Sequence, residues 1–225
     1  MSDIKDFVIE DGVLIEYKGD DTNIVIPDGV TVIDEFAFAE YDDLTSVVIP
    51  DGVTSIDNGL FSGCSYLTNV VIPSSITSIG NCAFAACESL TSIAIPCSVT
   101  SIGMEAFSGC RSLTSIVIPD GVTSIRVGAF YACDSLTSVV IPDGVTSIDD
   151  HAFSHCSSLT NIVIPSSVTS IGDWAFWDCD NLTIHAPAGS SAEEYAKENN
   201  IAFAPEYLRN KIMENIHGGL TKYGK

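Results

Sequence analysis

A stacked-coil solenoid is the fold class that the sequence predicts, and three observations predict it. Prolines stand at Pro27, Pro50, Pro73, Pro96, Pro119, Pro142 and Pro165, each 23 residues after the one before. Phenylalanines at Phe38, Phe61, Phe84, Phe107, Phe130, Phe153 and Phe176 keep the same step, as do cysteines at Cys64, Cys87, Cys110, Cys133, Cys156 and Cys179. No insertion or deletion breaks the frame L-T-x-V/I-x-I-P-x-x-V-T-x-I-x-x-x-A-F-x-x-C. A period of roughly 20 to 50 residues marks an array of supersecondary units, none of which buries its own apolar face. Stacked copies cover one another, so stability becomes a nearest-neighbour sum.

The chain divides into four parts. In residues 1–22, Phe7 to Ile9 and Val13 to Tyr17 are β-rich runs around Asp11-Gly12, a dipeptide that favours a hairpin turn. This predicts an N-terminal hairpin cap. Residues 23–182 hold about seven copies of the unit. In the copy beginning at Leu44, alternation makes a short strand with Val47 and Ile49 inward and Ser46 and Val48 outward. Parallel strands are expected to align from copy to copy. Pro50-Asp51-Gly52 supplies turn chemistry, because proline presets φ and Asp and Gly suit the positions that follow. Val53 and Ile56 return the chain to the core, and the segment ending in Leu60 and Phe61 closes the coil with a short helical or 3-10 turn. Residues 183–204 form a C-terminal cap, where Ser191 and Glu194 have capping-box spacing and Ile201 to Phe203 is a last strand. Residues 205–225 are a basic tail in which Glu206 to His217 has helical spacing.

Composition excludes several function classes. The net charge is −21, and Pro27 to Leu182 contains 18 acidic residues against Arg111 and Arg126 alone. Nucleic acid and anionic lipid surfaces are therefore poor partners, since binding them relies on Lys and Arg. No apolar run is long enough to span a membrane, so no membrane insertion is expected. The start MSDIKDFVIEDG has neither a basic leader nor an apolar h-region. That predicts a cytoplasmic chain if it is complete as given, and a secreted or cell-surface one if a leader was removed. Six of the eight cysteines share one column, which assigns them to packing and not to a disulfide framework. Cys82 and Cys97 lie off the column and are the exposable pair.

The run SLTSIVIPDGVTSIRVGAFYAC, Ser112 to Cys133, resembles the BspA-type leucine-rich repeat family, whose unit carries IP, SI and AF-x-x-C in this order. The resemblance covers about Ile24 to Leu182, with departures at Tyr41 for cysteine and Leu60 for alanine. NLTIHAPAGSSAEEYAKENNIAF also looks like the closing segment of that family. The resemblance implies a right-handed leucine-rich-repeat solenoid with a parallel β-sheet on its concave face. It further implies an adhesin-like bacterial surface or interaction protein without enzyme activity.

Catalysis needs unlike groups converging on one place, whereas this sequence repeats like groups in columns. The Thr45 and Ser46 columns offer hydroxyls without a histidine placed to activate one, so no catalytic residue and no cofactor is assigned. His151, His155 and Cys156 have the spacing of a metal site on one helical turn, but surface histidines beside a packed column cysteine are the preferred reading. Asp28, Asp51, Asp120 and Asp143 invite calcium after stacking, yet Ser74 and Cys97 interrupt that column and turn chemistry already explains the aspartates.

One column exceeds what turns and core require. Val25, Val48, Val71, Ala94, Val117, Val140 and Val163 point outward from the strands, beside Ser46, Asn69, Ser92, Ser115, Ser138 and Asn161. An exposed apolar stripe of this kind marks an interface, although β-propensity alone also favours valine there. The expected function is a non-catalytic interaction protein that presents this face to a protein or glycan. The alternative is a structural module that self-associates through the stripe.

Overall fold

The computed structural model describes residues Ile4 to Pro205. The helix expected for Glu206 to His217 lies outside the described residues. Within them the chain is a β-solenoid, and its coils are numbered here by their prolines, from coil 1 at Pro27 to coil 7 at Pro165.

Each coil has three faces. The strand face carries three-residue strands such as Ser46–Val48 and Asn69–Val71, which pair in parallel with Val47 opposite Val70. The second face carries two-residue strands such as Ser55–Ile56 and Ser78–Ile79, also parallel and in register. The remaining side, called the turn face, holds the AF-x-x-C segment. Alternation works as the residues dictate: Val47, Ile49, Val53 and Ile56 are all buried while Ser46 and Val48 are half-buried.

The turn face closes with the expected 3-10-type turns, which do not run on into a continuous helix. Its hydrogen bonds span three residues, as from Ser62 N–H to the Gly59 carbonyl and from Cys64 N–H to Phe61. Each coil, however, places two residues at positive φ, such as Gly59 at 60° and Gly63 at 78°. A helix cannot run through left-handed residues, so the segment is a chain of tight turns. Those turns aim backbone groups along the solenoid axis. Phe61, Phe84, Phe107, Phe130 and Phe153 each donate an N–H to the alanine carbonyl of the next coil at 2.8–2.9 Å.

The core is one continuous file. Phe38, Phe61, Phe84, Phe107, Phe130, Phe153 and Phe176 stack with ring centroids 5.2–5.7 Å apart and interplanar angles of 2–17°. Tyr17 closes one end at 6.0 Å from Phe38, and Tyr195 closes the other, edge-on to Phe176 at 5.9 Å. Each buried ring thus has an aromatic neighbour on both sides, an arrangement that adds to simple area burial.

The ends are atypical, as an array needs. Phe7–Glu10 and Val13–Tyr17 form an antiparallel hairpin through Asp11 and Gly12, at φ 49° and 80°. At the other end the helix Ser191–Glu198 has Ser190 as its N-cap, one residue before the expected Ser191. Glu193, not Glu194, returns its carboxylate to the Gly189 N–H at 2.6 Å. Ser191 is occupied elsewhere, donating its hydroxyl to the Val168 carbonyl. The last strand, Ala202–Pro205, pairs in parallel with Thr183–Ala186.

The strand face is not continuous, which corrects the expected copy-to-copy alignment. Ser92, Ile93 and Ala94 of coil 4 form no strand, leaving Asn23–Val25, Ser46–Val48 and Asn69–Val71 as one sheet and a five-stranded sheet beginning at Ser115–Val117. Ala94 replaces valine here, and alanine is the weakest strand former of its column. The second face runs one coil further and is divided between coils 4 and 5, as Ser101–Ile102 does not pair with Ser124–Ile125.

Deleting one ring tests the file. Phe107→Ala is expected to lower the unfolding free energy by about 3–5 kcal/mol, read from the urea midpoint at unchanged slope.

Candidate functional site

The strand face is built by alternation. Inward residues anchor each strand in the core, which leaves every second side chain facing outward in register with its neighbours. Val25, Val71 and Val117 are 47%, 47% and 44% exposed; Val48 and Val140 are half-buried and Ala94 is exposed. The flanking positions Asn69, Ser92 and Asn161 are exposed, while Ser46, Ser115 and Ser138 are half-buried.

Val163 is a correction, being only 7% exposed. Its strand pairs with Thr183–Ala186 so that His185 sits directly opposite Val163. The His185 ring leans back over the face, with Nε2 2.9 Å from Asn161 Oδ1. The cap therefore ends the stripe at Val140, about 24 Å from Val25 at the usual strand spacing. Burial holds the His185 imidazole below its ordinary pKa, which keeps it neutral in that contact.

The hydroxyl columns have a structural use that the sequence did not reveal. Thr45, Thr68, Thr114 and Thr137 each donate Oγ1–H to the threonine carbonyl one coil earlier, at 2.9–3.2 Å. Thr77, Thr100, Thr146 and Thr169 do the same on the second face. A hydroxyl spent on a neighbouring backbone is not poised as a nucleophile.

The cysteine column carries more than packing. Each thiol from Cys64 to Cys179 donates to the phenylalanine carbonyl of the preceding coil at 3.0–3.2 Å. A small apolar side chain with a weak donor is what that site requires, and cysteine supplies both. All eight cysteines are free. Burial pushes the Cys64 and Cys179 thiols up to about 12, and raises the four between them as well.

Burial also separates the suspected metal ligands. Cys156 points into the core toward Phe130, whereas His155 faces outward with Nδ1 2.9 Å from Asp178 Oδ2. Among the described residues no group of three or more His, Cys, Asp or Glu is placed to hold a metal ion. Asp28, Asp51, Asp120 and Asp143 are exposed on their turns.

A three-faced coil with an F-x-x-C ladder and threonine rungs invites comparison with known arrays. The description "BspA type Leucine rich repeat region" fits residues 16–134 and 123–201, in six copies. The chain belongs to the BspA-type leucine-rich repeat family. Among solved structures, this BspA-type chain is similar to a leucine rich cell surface protein of Faecalibacterium prausnitzii. The two share 39% identity at a TM-score of 0.73, over 80% of this chain and 52% of that one. The chain thus spans about half the length of that relative. It is also similar to the leucine rich repeat protein of T. pallidum, at 29% identity and a TM-score of 0.75, over 90% of this chain and 97% of that one. A leucine-rich repeat protein from Bacteroides ovatus matches at 30% identity and a TM-score of 0.53, over 73% of this chain and 55% of that one. No curated protein sequence matches the chain. Leucine-rich repeat arrays of this type are generally protein-interaction scaffolds.

Two outcomes follow for the thiols. Iodoacetamide at pH 8 is expected to label the exposed Cys97 first, with the six column thiols reacting only after denaturation, as mass spectrometry will show. Stability is expected to fall with rising pH above about 9. In that window an unfolded thiol, with an ordinary value of 9.0, loses its proton, while folded Cys64 and Cys179 keep theirs up to about 12. Urea midpoints measured at pH 8 and pH 10.5 check the sign.

Proposed function

We propose that this chain is a non-catalytic recognition scaffold that presents its strand face to a protein or glycan partner, in the manner of an adhesin. The observation that carries the reading is the outward column Val25, Val48, Val71, Ala94, Val117 and Val140. Core and turn requirements do not call for apolar residues there, and such contiguous exposed surface is characteristic of interfaces. The adjoining Ser46, Asn69, Ser92, Ser115, Ser138 and Asn161 supply donors and acceptors along the same face, which suits an extended partner. The similar F. prausnitzii protein is described as a cell surface protein, which agrees with an adhesive role.

The non-catalytic part rests on how the candidate nucleophiles are used. Threonine hydroxyls are tied to backbone carbonyls and the column thiols are buried and protonated. A surface dense in acids disfavours nucleic acid and anionic lipid as partners.

Self-association is the second reading, favoured by one feature: a stripe of like residues is complementary to itself. Val117→Glu with Val140→Glu separates the two. The double variant is expected to unfold at the wild-type urea midpoint and to lose the signals that the wild type gives on an array of immobilised proteins and glycans. A wild-type dimer in sedimentation velocity that the variant abolishes supports self-association instead. Unfolding of the double variant, or a monomeric wild type silent on the array, overturns the proposal.

A further inference from the structure

On the turn face, coils 5 to 7 carry side chains that the repeat itself does not require. One column there reads Ala39, Ser62, Ala85 and Ser108, all small, and then Tyr131, Ser154 and Trp177. Ser154 is thus a gap between two aromatic residues two coils apart, about 10 Å at the usual spacing. The left-handed position beside it is Phe36, Gly59, Cys82, Glu105 and Gly128 in coils 1 to 5, then His151 in coil 6 and Trp174 in coil 7. Coils close with residues as different as glycine, cysteine and glutamate at this position, so closure does not call for the rings of His151 and Trp174. Both tryptophans of the chain stand here, Trp174 53% and Trp177 59% exposed.

Together Tyr131, His151, Ser154, His155, Trp174 and Trp177 line an open groove of about 400 Å³. Its rings brace each other. His151 lies 5.2 Å from Trp174, and Tyr131 meets His155 edge-on at 5.2 Å. Asp178 accepts from His155 Nδ1–H at 2.9 Å, which orients that imidazole and leaves Nε2 free for a ligand.

The decisive feature is on the floor. Ser154 is 1% exposed, yet its Oγ has no hydrogen-bond partner among the described residues, and neither has His151 Nδ1. A buried polar atom left unpaired is destabilising, and the same column shows that alanine fits, as at Ala39 and Ala85. Serine also stands in this column at Ser62 and Ser108, where it is half-buried, but only at Ser154 is the hydroxyl buried and unpaired, between exposed aromatic rings.

We infer that this groove is a binding site for a pyranose ring of a neutral saccharide, separate from the strand face. A pyranose has what both halves of the site lack. Its C–H faces are weakly positive and stack on the negative faces of Trp177 and Tyr131, while its hydroxyls meet His155 Nε2 at the rim and reach the buried Ser154 Oγ and His151 Nδ1 as the rings that cover them turn aside. An apolar segment of protein covers the rings but leaves the floor unpaired. A quaternary ammonium suits rings and acids, yet has no hydrogen-bonding group to offer Ser154. Acidic saccharides are repelled by a chain of net charge −21.

Because both tryptophans lie in the groove, their fluorescence reports on it directly. Chitohexaose, cellohexaose and mannohexaose are titrated into the full chain. At least one is expected to give a saturable emission shift with half-saturation at about 0.1–1 mM, as befits one stacked ring with a few hydrogen bonds. Trp177→Ser and Tyr131→Ser, each reproducing the serine that other coils carry in this column, are expected to weaken it at least tenfold. Ser154→Ala is expected to weaken it about fivefold while keeping or raising the urea midpoint, as befits a hydroxyl held for a ligand. Val117→Glu with Val140→Glu is expected to leave the titration unchanged, whichever way the strand-face experiment falls. The inference is overturned by any of four results: no shift with all three sugars up to about 10 mM; a lower urea midpoint for Ser154→Ala; stronger displacement by a heptalysine peptide than by any sugar; or tryptophan emission in the free protein already shielded from acrylamide, which places another part of the chain in the groove.

Discussion

Stacking of identical turns is the constraint on which everything else in this chain depends. A coil of 23 residues encloses only one phenylalanine, one leucine and a few aliphatic side chains, and apart from local turn bonds its hydrogen bonds run to its neighbours. The phenylalanine file shows how the constraint acts on sequence. Each ring is flanked by rings, each phenylalanine carbonyl from Phe38 to Phe153 accepts a thiol from the next coil, and each phenylalanine N–H is donated along the axis. Changing any of these residues disturbs three coils, so the core columns repeat while the outward positions differ.

That division explains what the sequence made legible. Buried columns are read directly from period and alternation: the turn after each proline, the aromatic file and the strands of every coil but the fourth occupy their expected places. Threonine rungs and the thiol-to-carbonyl bonds were not legible, because periodicity reports that a position is constrained without saying which atom it bonds. The left-handed residues of the turn face were hidden for a different reason. Glycine, alanine, cysteine, glutamate, histidine and tryptophan all occupy those columns, so no single residue type betrays the backbone conformation. The Ser190 cap was missed because two serines stand together, and the hydrogen bond of Ser191 to Val168 decides which of them begins the helix.

The outward face was partly legible. Alternation separated outward from buried residues in coils 1, 2, 3, 5 and 6, but failed at Val163, where the closing strand returns one residue out of the repeat frame and sets His185 beside it. It also failed at coil 4, where alanine in place of valine accompanies a gap in the sheet. Both failures come from positions at which the array stops being a perfect copy of itself. A period describes an interior coil best and a boundary least.

The gap at coil 4 bears on how such a rod carries load. Between coils 4 and 5 the second face lacks ladder pairs and the strand face retains the bonds from Thr114 to the Thr91 carbonyl, while the turn face and the Phe107–Phe130 stack continue intact. The two halves are therefore joined along one side, like covers on a spine. Tension or torsion applied across the molecule meets fewer ladder hydrogen bonds at that seam than anywhere within either half, so each half is held more firmly to itself than to the other.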